Sequence, residues 1–329
     1  TEGNPFFLTE VIRLLAERGE LAAAEIGGPQ GIRIPEGVRE VIGQRLNRLS
    51  VQCNQTLATA SIVGREFDFK LLKALSSGIT DDQLLQVVDE ALNAHLIEEL
   101  PGLGERYQFS HALVQQTLAE ELSTSRRVRL HARIGEALEE MYGAEVEAHA
   151  AELAHHFAEA QTVLGTEKLV RYSLLAGERA LAAYAWEEAQ VHFQRALEAK
   201  ESQGMDAETA ALLFGLGRAQ AATGGGVQLQ EVVATLSRAF DYYIEAGDLD
   251  RAVAVAEYPV GAALGITTGA GQLISRALPL VSPDSHQAGR LLSTYGLTLY
   301  QDTGDYGGAQ ETFDRAQAIA QREKDPALE

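Results

Sequence analysis

The strongest constraint on this chain is a helical periodicity that runs from Arg126 onward without a strand signal. Apolar residues recur there every three or four positions, as on one face of a helix. The predicted helices form pairs at about 168–183 with 186–200, 207–222 with 228–245, 249–264 with 270–280, and 285–301 with 305–322. Single helices near 126–142 and 146–160 precede them. Because short helix pairs bury their apolar faces by stacking on neighbouring pairs, this half of the chain is predicted to be an α-solenoid.

Two of the pairs carry small and aromatic residues in the register of a tetratricopeptide repeat. In the first pair these are Gly177, Ala189, Phe193 and Ala196. In the last pair they are Tyr300, Gly304, Asp305, Tyr306, Ala309, Phe313 and Ala316. The pairs between them keep the register only in part, after an insertion at 224–228. We expect the small residues to stand where helices cross closely, and the aromatic residue to fill the hole left against the next repeat.

The segment 35–125 changes periodicity in the order expected of a winged-helix domain. Helical patterns at about 51–63, 68–76 and 81–94 come first, and the last opens on a capping-box pair, Thr80 and Gln83. Two β-compatible stretches, LIEEL and RYQFS, follow on either side of a turn with proline and glycine, and then a helix. A helix at 5–18 and a loop at 24–35 are predicted before this segment, and a helix at 36–49 is predicted at its start. The predicted fold is all-α with one small β-hairpin: a winged-helix domain followed by a tetratricopeptide-like α-solenoid.

Charge and composition disfavour several classes of protein. With 27 basic and 47 acidic residues the net charge is −20, which repels nucleic acid and anionic membranes. The predicted wing carries Glu98, Glu99 and Glu105 against Arg106 alone, so we expect no direct contact with DNA. For the arginines at 126–133, a solvated helix face or a contact to an acidic protein surface is favoured over a nucleic-acid site. One cysteine and no apolar run of about 18 residues favour a cytoplasmic protein outside the membrane.

Patterns that indicate catalysis or metal binding were not found in the sequence. It contains neither a GxxxxGK[ST] phosphate-binding loop nor a GxSxG nucleophile motif. His149 stands six and seven residues from His155 and His156, whereas neighbours on a helix face are three or four residues apart. We therefore expect these histidines to be packing or surface residues, and the chain to have no enzyme activity, metal or cofactor of its own.

Five segments resemble, in their order along the chain, the region that follows the nucleotide-binding core of signal-transduction ATPases with numerous domains (STAND). They are GNPFFLTE at 3–10, IPEGVREVIGQRLNRLS at 34–50, GREFD at 64–68, FSHALVQQTLAEELS at 109–123 and RRVRLHARIGEALE at 126–139. This family includes large LuxR-type transcription regulators and multidomain proteins with cyclase or kinase modules. The resemblance implies a lid remnant and linker at 1–34, a winged helix at 35–125, connecting helices at 126–165 and repeats at 166–329. Since a lid is present without a phosphate-binding loop, we expect a longer protein whose core would bind ATP or ADP.

The resemblance also implies two nucleotide contacts that would form only with that core. Pro5, within Gly3-Asn4-Pro5, would lie against the adenine, and a helix-opening turn is the alternative. His111, at the start of the last winged-helix helix, would reach the β-phosphate of ADP. The family places an acid directly after this histidine, where this chain has Ala112. The alternative for His111 is a helix cap or a half-buried packing residue.

Two functions fit these patterns. In the first, the chain is the regulatory arm of a STAND ATPase that regulates transcription. Its repeats would hold a protein, a peptide or a small effector in their concave groove and couple this binding to the nucleotide state of the core. The alternative is a stand-alone tetratricopeptide scaffold for protein–protein interaction. The repeat half, 166–329, has 13 basic and 22 acidic residues and a net charge of −9, so a basic or neutral partner is expected.

Overall fold

The computed structural model describes residues 42–43, 45–76, 78–102, 104–200, 204–224, 228–261 and 267–323. Contacts divide the chain into two compact units, one of 1–143 with 162–164 and the other of 144–161 with 165–329. Helices dominate both units and strands occur in the first, which confirms the predicted fold class. The predicted helix at 5–18, the loop at 24–35 and half of the helix at 36–49 lie outside the described residues.

The first unit has the element order of a winged helix. Its elements are α1 (Val51–Val63), β1 (Glu66–Asp68), α2 (Phe69–Leu75), α3 (Asp81–Asn93), β2 (Ile97–Glu99), β3 (Arg106–Phe109), α4 (Ala112–Glu120) and α5 (Thr124–Tyr142). The strands form one antiparallel sheet in the order β1-β3-β2. The predicted capping box is confirmed, because the Thr80 hydroxyl accepts from the Gln83 amide at 3.3 Å and the Gln83 side chain accepts from the Thr80 amide at 3.0 Å.

Strand β1 is a departure from the predicted hairpin, since it adds a third strand. It pairs with β3, and its central residue Phe67 lies opposite Tyr107. The ring of Phe67 is buried, 5.3 Å from the ring of Phe109. A strand of three residues places a single side chain inward and so produces no detectable alternation. Its existence depends on β3 and on the core beneath it.

The second unit consists of helices. They are α6 (Ala150–Glu159), α8 (Glu167–Ala182), α9 (Trp186–Lys200), α10 (Ala207–Thr223), α11 (Gln228–Glu245), α12 (Leu249–Glu257), α13 (Ala270–Ala277), α14 (His286–Thr298) and α15 (Tyr306–Glu323). A 3₁₀ turn (Gly143–His149) precedes α6, another (Leu278–Leu280) follows α13, and a π-helical turn (Leu299–Thr303) follows α14. The short helix α7 (Gln161–Leu164) contributes residues to both units.

One predicted helix boundary differs from the structure. The helix predicted at 249–264 ends at Glu257, and Tyr258 is already extended with ψ 124°. Pro259 follows Tyr258, and a proline ring disfavours helical geometry in the preceding residue. The connecting helices predicted at 126–165 include α5, which belongs to the first unit, and α6, which belongs to the second. There α6 packs on α8, with the rings of Phe157 and Tyr172 stacked at 5.5 Å.

Candidate interaction surface on the helical hairpins

Phe193 shows how successive hairpins of the second unit are joined. Its ring is fully buried between two glycines, Gly177 on its own hairpin and Gly215 on the next. A methyl group added at Gly177 would lie 2.6 Å from the ring, and one at Gly215 would lie 2.4 Å from it. Both approaches are too short for a side-chain carbon, so only glycine fits at either position. The predicted role of the aromatic residue, to fill the hole against the next repeat, is confirmed.

The last hairpin repeats this contact with one extra residue. Gly296 on α14 faces Phe313 on α15, where an added methyl group would lie 2.9 Å from the ring. Gly177 and Phe193 are 16 positions apart, whereas Gly296 and Phe313 are 17 positions apart. The π-helical turn Leu299–Thr303 absorbs the additional residue, as such turns do within helices. The closing turn passes through Gly304 in the left-handed region, φ 68°.

Helices α8, α10, α12 and α14 are the first helices of the four hairpins, and their side chains form a row. On α8 and α10, both carboxylate oxygens of Glu178 accept hydrogen bonds of 3.0 Å from Arg218. The guanidinium of Arg218 lies 5.4 Å from the centre of the Phe214 ring. The Phe214 ring meets that of Tyr258 edge to face at 6.3 Å, and the Tyr258 hydroxyl donates to the carbonyl of Arg218 at 3.3 Å. An ion pair and an aromatic pair thus join three first helices.

Glu257 continues the row to the fourth hairpin. Its Oε2 lies 3.8 Å from Arg290 Nη2 on α14, and its side chain is 14% exposed. Burial raises the pKa of Glu257, while the charges of Arg290 and His286 oppose this rise. We call the set Glu178, Phe214, Arg218, Glu257, Tyr258 and Arg290 the first-helix row. Its charged members are held in opposite-sign contacts beside two aromatic rings, which suits recognition of a polypeptide with both polar and apolar side chains.

Sequence reasoning identified the repeat register but missed the members of the first-helix row. A signal was available, because Glu178 follows Gly177 and Arg218 follows Gly217. The two glycines hold the same place in the register, so their successors occupy equivalent positions on neighbouring hairpins. Opposite charges at equivalent positions of adjacent repeats predict an ion pair across them.

Of the two residues predicted to contact the nucleotide, the structure describes only His111. Pro5 is outside the described residues. His111 is the N-cap of α4, and its Nδ1 accepts from the amide of Leu113 at 3.1 Å. The side chain is largely buried, with the residue 7% exposed. Because Nδ1 accepts, the proton of the neutral ring resides on Nε2. The structure thus gives His111 a capping role, and its contact with a β-phosphate stays a prediction.

Of the histidines singled out in the sequence, His155 and His156 are in contact, with their rings edge to face at 5.2 Å. His156 is buried, whereas His149 pairs with Glu152 at 3.8 Å. Within the described ranges no group of three or more histidine, cysteine or acidic side chains is placed to hold a metal ion. In the arginine cluster, Arg133 donates to the carbonyl of Leu75, and Arg126 is exposed. No helix in the described part of the chain is long and apolar enough to cross a membrane.

Comparison with known proteins gives similarity to solved structures only. No protein-family model matches the chain, and no curated protein matches it. A solved structure that is similar is the crystal structure of the STAND protein with a tetratricopeptide repeat sensor, PH0952, from Pyrococcus horikoshii. The sequences are 13% identical, the match covers 92% of this chain and 48% of that chain, and the TM-score is 0.34. This chain therefore spans about half the length of that protein.

Proposed function

We propose that this chain is the regulatory arm of a STAND ATPase. In this proposal the helical hairpins bind a protein or peptide partner, and the winged-helix unit responds to the nucleotide bound by a core elsewhere in a longer protein. The ordered motifs of the sequence support the assignment to this family. The observation that carries the binding role is the first-helix row, which runs across all four hairpins.

The first-helix row contains an ion pair that contacts with a ligand could replace. The pair of Arg218 and Glu178 is partly exposed, at 28% and 44% of the two side chains. Ion pairs with this exposure stabilise a fold by about 1 kcal/mol or less, so a ligand can replace one member at low cost. The adjacent rings of Phe214 and Tyr258 offer apolar contact to the same ligand. An extended peptide lying across the hairpins would meet both features.

The binding role is tested on the row itself. Arg218→Ala removes the ion pair and the cation–π contact, whereas Arg238→Ala removes an exposed arginine from the second helix α11 and serves as the control. For any partner that binds the full chain, we expect Arg218→Ala to raise the Kd by about tenfold, as loss of an interface arginine does. Arg238→Ala should leave the Kd within about twofold of wild type. Equal effects of the two substitutions would refute the row as the binding surface.

The regulatory role is tested by measuring ATP hydrolysis and ADP release in the longer protein that contains the core. The partner should change either rate severalfold in the wild type and leave both rates unchanged in the Arg218→Ala variant. If the partner binds through the row but neither rate changes, the chain is a scaffold for protein–protein interaction rather than a regulatory arm.

The role proposed for His111 needs a variant that keeps the helix cap. His111→Asn preserves a side-chain acceptor for the start of α4 but shortens the reach toward a phosphate, whereas His111→Ala removes both. If His111 senses ADP, both variants should release ADP faster than wild type. If only His111→Ala does so, the residue is a cap alone.

The proposed output is regulation of transcription, as in the LuxR-type group, through a DNA-binding module outside this chain. In the first unit the side chains of Glu98, Glu99 and Glu105 are exposed at the wing. Such a surface repels the phosphate backbone. Fluorescence anisotropy with labelled duplex DNA should detect no binding by this chain at physiological salt, and salt-dependent binding would contradict the proposal.

A further inference from the structure

A cleft of about 190 Å³ lies between α13 and the π-helical turn after α14, separate from the first-helix row. Its exposed surface is mostly apolar, although most of the residues that line it carry a polar side chain. The lining residues are Thr267, Gly269, Gly271, Gln272, Ser275, Tyr295, Thr298, Leu299, Asp302 and Thr303. Asp302 is the one charged side chain among them, and it belongs to the π-helical turn. Among the described residues, no arginine or lysine lines the cleft.

Four serine and threonine hydroxyl groups of the cleft donate to the main chain. Their bonds run from Thr267 to the carbonyl of Asp302 (3.3 Å), Ser275 to Gln272 (2.9 Å), Thr298 to Tyr295 (2.8 Å) and Thr303 to Leu299 (2.8 Å). A hydroxyl has one proton and two lone pairs. Since each proton is engaged, these oxygens can offer only acceptor lone pairs to a molecule in the cleft.

Asp302 adds a negative charge that its neighbours neutralise only in part. Its Oδ2 accepts from the Thr268 amide at 3.0 Å and from the Thr268 hydroxyl at 2.8 Å. Its Oδ1 is buried and has no hydrogen-bond partner among the described residues. A buried carboxylate oxygen without a donor is costly, and a nearby positive charge reduces that cost. The surroundings of Asp302 therefore favour a cation.

We propose that this cleft binds a primary ammonium group, either of a small amine or of a lysine side chain. The hydroxyl oxygens would accept its three hydrogen bonds, and the ring of Tyr295 would pack on its carbon chain. Because Oδ1 is shielded from solvent, Asp302 would act through its charge rather than by direct contact. The volume suits a chain of a few carbon atoms. The proposal rests on the cleft alone and does not require the function proposed above.

The extra residue of the last hairpin explains why the cleft is there. The π-helical turn places Asp302 beside Thr268, 34 positions earlier in the chain. In the first hairpin the glycine and the phenylalanine are 16 positions apart, whereas in the last hairpin they are 17 apart. A single inserted residue has therefore brought a carboxylate to the start of α13, which is consistent with the frequent occurrence of π-turns at functional sites.

The test uses the full chain and saturation-transfer-difference NMR with three probes. Butylammonium represents a free amine, the blocked peptide acetyl-Gly-Lys-Gly-amide represents a lysine side chain, and butanol is the neutral control. We expect a Kd in the millimolar range for a charged probe, the order of magnitude for a ligand of this size. Asp302→Asn keeps the shape of the side chain and removes its charge. It should weaken binding by about fivefold or more, as loss of a nearby opposite charge does.

Asp314→Asn, at an exposed position on α15, is the matched control and should bind the charged probes like wild type. Binding of butylammonium that depends on Asp302 supports a small-amine ligand, whereas binding of the lysine peptide alone supports a protein partner. Equal binding of butanol and butylammonium overturns the proposal, as does unchanged binding by Asp302→Asn. Absence of binding by both charged probes also overturns the proposal. In that case water alone would bind Oδ1 of Asp302.

Discussion

The buried ring of Phe193 allows the joining of hairpins to be tested quantitatively against an internal control. Phe193 and Phe313 hold the same place in the repeat register, and each touches a glycine of its own hairpin. Phe193 is 0% exposed because Gly215 of the next hairpin covers it, whereas Phe313 is 37% exposed. Substitution by alanine therefore removes the same atoms from a closed site and from an open one.

The two substitutions should differ in their effect on the free energy of unfolding. Phe193→Ala leaves a cavity between two hairpins and should cost about 3–5 kcal/mol. Phe313→Ala leaves no closed cavity and loses only the buried part of its ring, about 1–2 kcal/mol. The single tryptophan of the chain, Trp186, packs on the cluster around Phe193, so its fluorescence during urea unfolding reports the first hairpin. Hydrogen exchange of peptides from 306–323 reports the last.

A second substitution tests the geometry directly. Gly215→Ala would place a methyl group against the Phe193 ring, and the resulting overpacking should cost about 1–3 kcal/mol. In the Phe193→Ala background the clash is gone, and the same change should be neutral or stabilising by up to about 1 kcal/mol, the helix preference of alanine over glycine. This account of repeat packing would be refuted if Gly215→Ala destabilised the chain in both backgrounds. It would also be refuted if Phe193→Ala and Phe313→Ala lowered the free energy of unfolding equally.

Three further predictions follow from local geometry. Gly304→Ala places a side chain at φ 68° and should destabilise the last hairpin by about 1 kcal/mol in hydrogen exchange, whereas the control Gly307→Ala, with no close contact, should be neutral. Partial burial alone would raise the pKa of Asp206, but hydrogen bonds from Lys200 and the start of α10 lower it from 3.8 to about 2. The stabilisation that the ionised Asp206 contributes is complete above pH 3.8 and is lost as the pH falls through about 2. Lys200→Met should therefore reduce the loss of stability that acid unfolding measures between these pH values. Burial, and to a smaller extent the nearby carboxylate of Glu90, raise the pKa of Cys53 to about 12. A thiol reagent at pH 8 should therefore label Cys53 only when the first unit opens, and rapid labelling of the folded chain would contradict this prediction.

Local patterns in the sequence were sufficient wherever a single segment determines the structure. Helix α3 begins where Thr80 and Gln83 predict it, because a capping box needs only four consecutive residues. The end of α12 at Glu257 was equally local, since Pro259 signals it, and the longer predicted helix overlooked that signal. Strand β1 could not be read in this way, because three residues acquire strand geometry only through pairing with β3.

The candidate surfaces required the tertiary structure. Glu178 and Arg218 are 40 positions apart, and Asp302 and Thr268 are 34 apart, so their contacts depend on how the hairpins stack. Hydrophobic periodicity and small-residue spacing predict the helices of the solenoid, their pairing and the places of Gly177 and Phe193, because both are properties of residues close together in the chain. Which charges and hydroxyl groups meet across the hairpins depends on the folded structure, because side-chain packing between residues far apart in the chain fixes those distances.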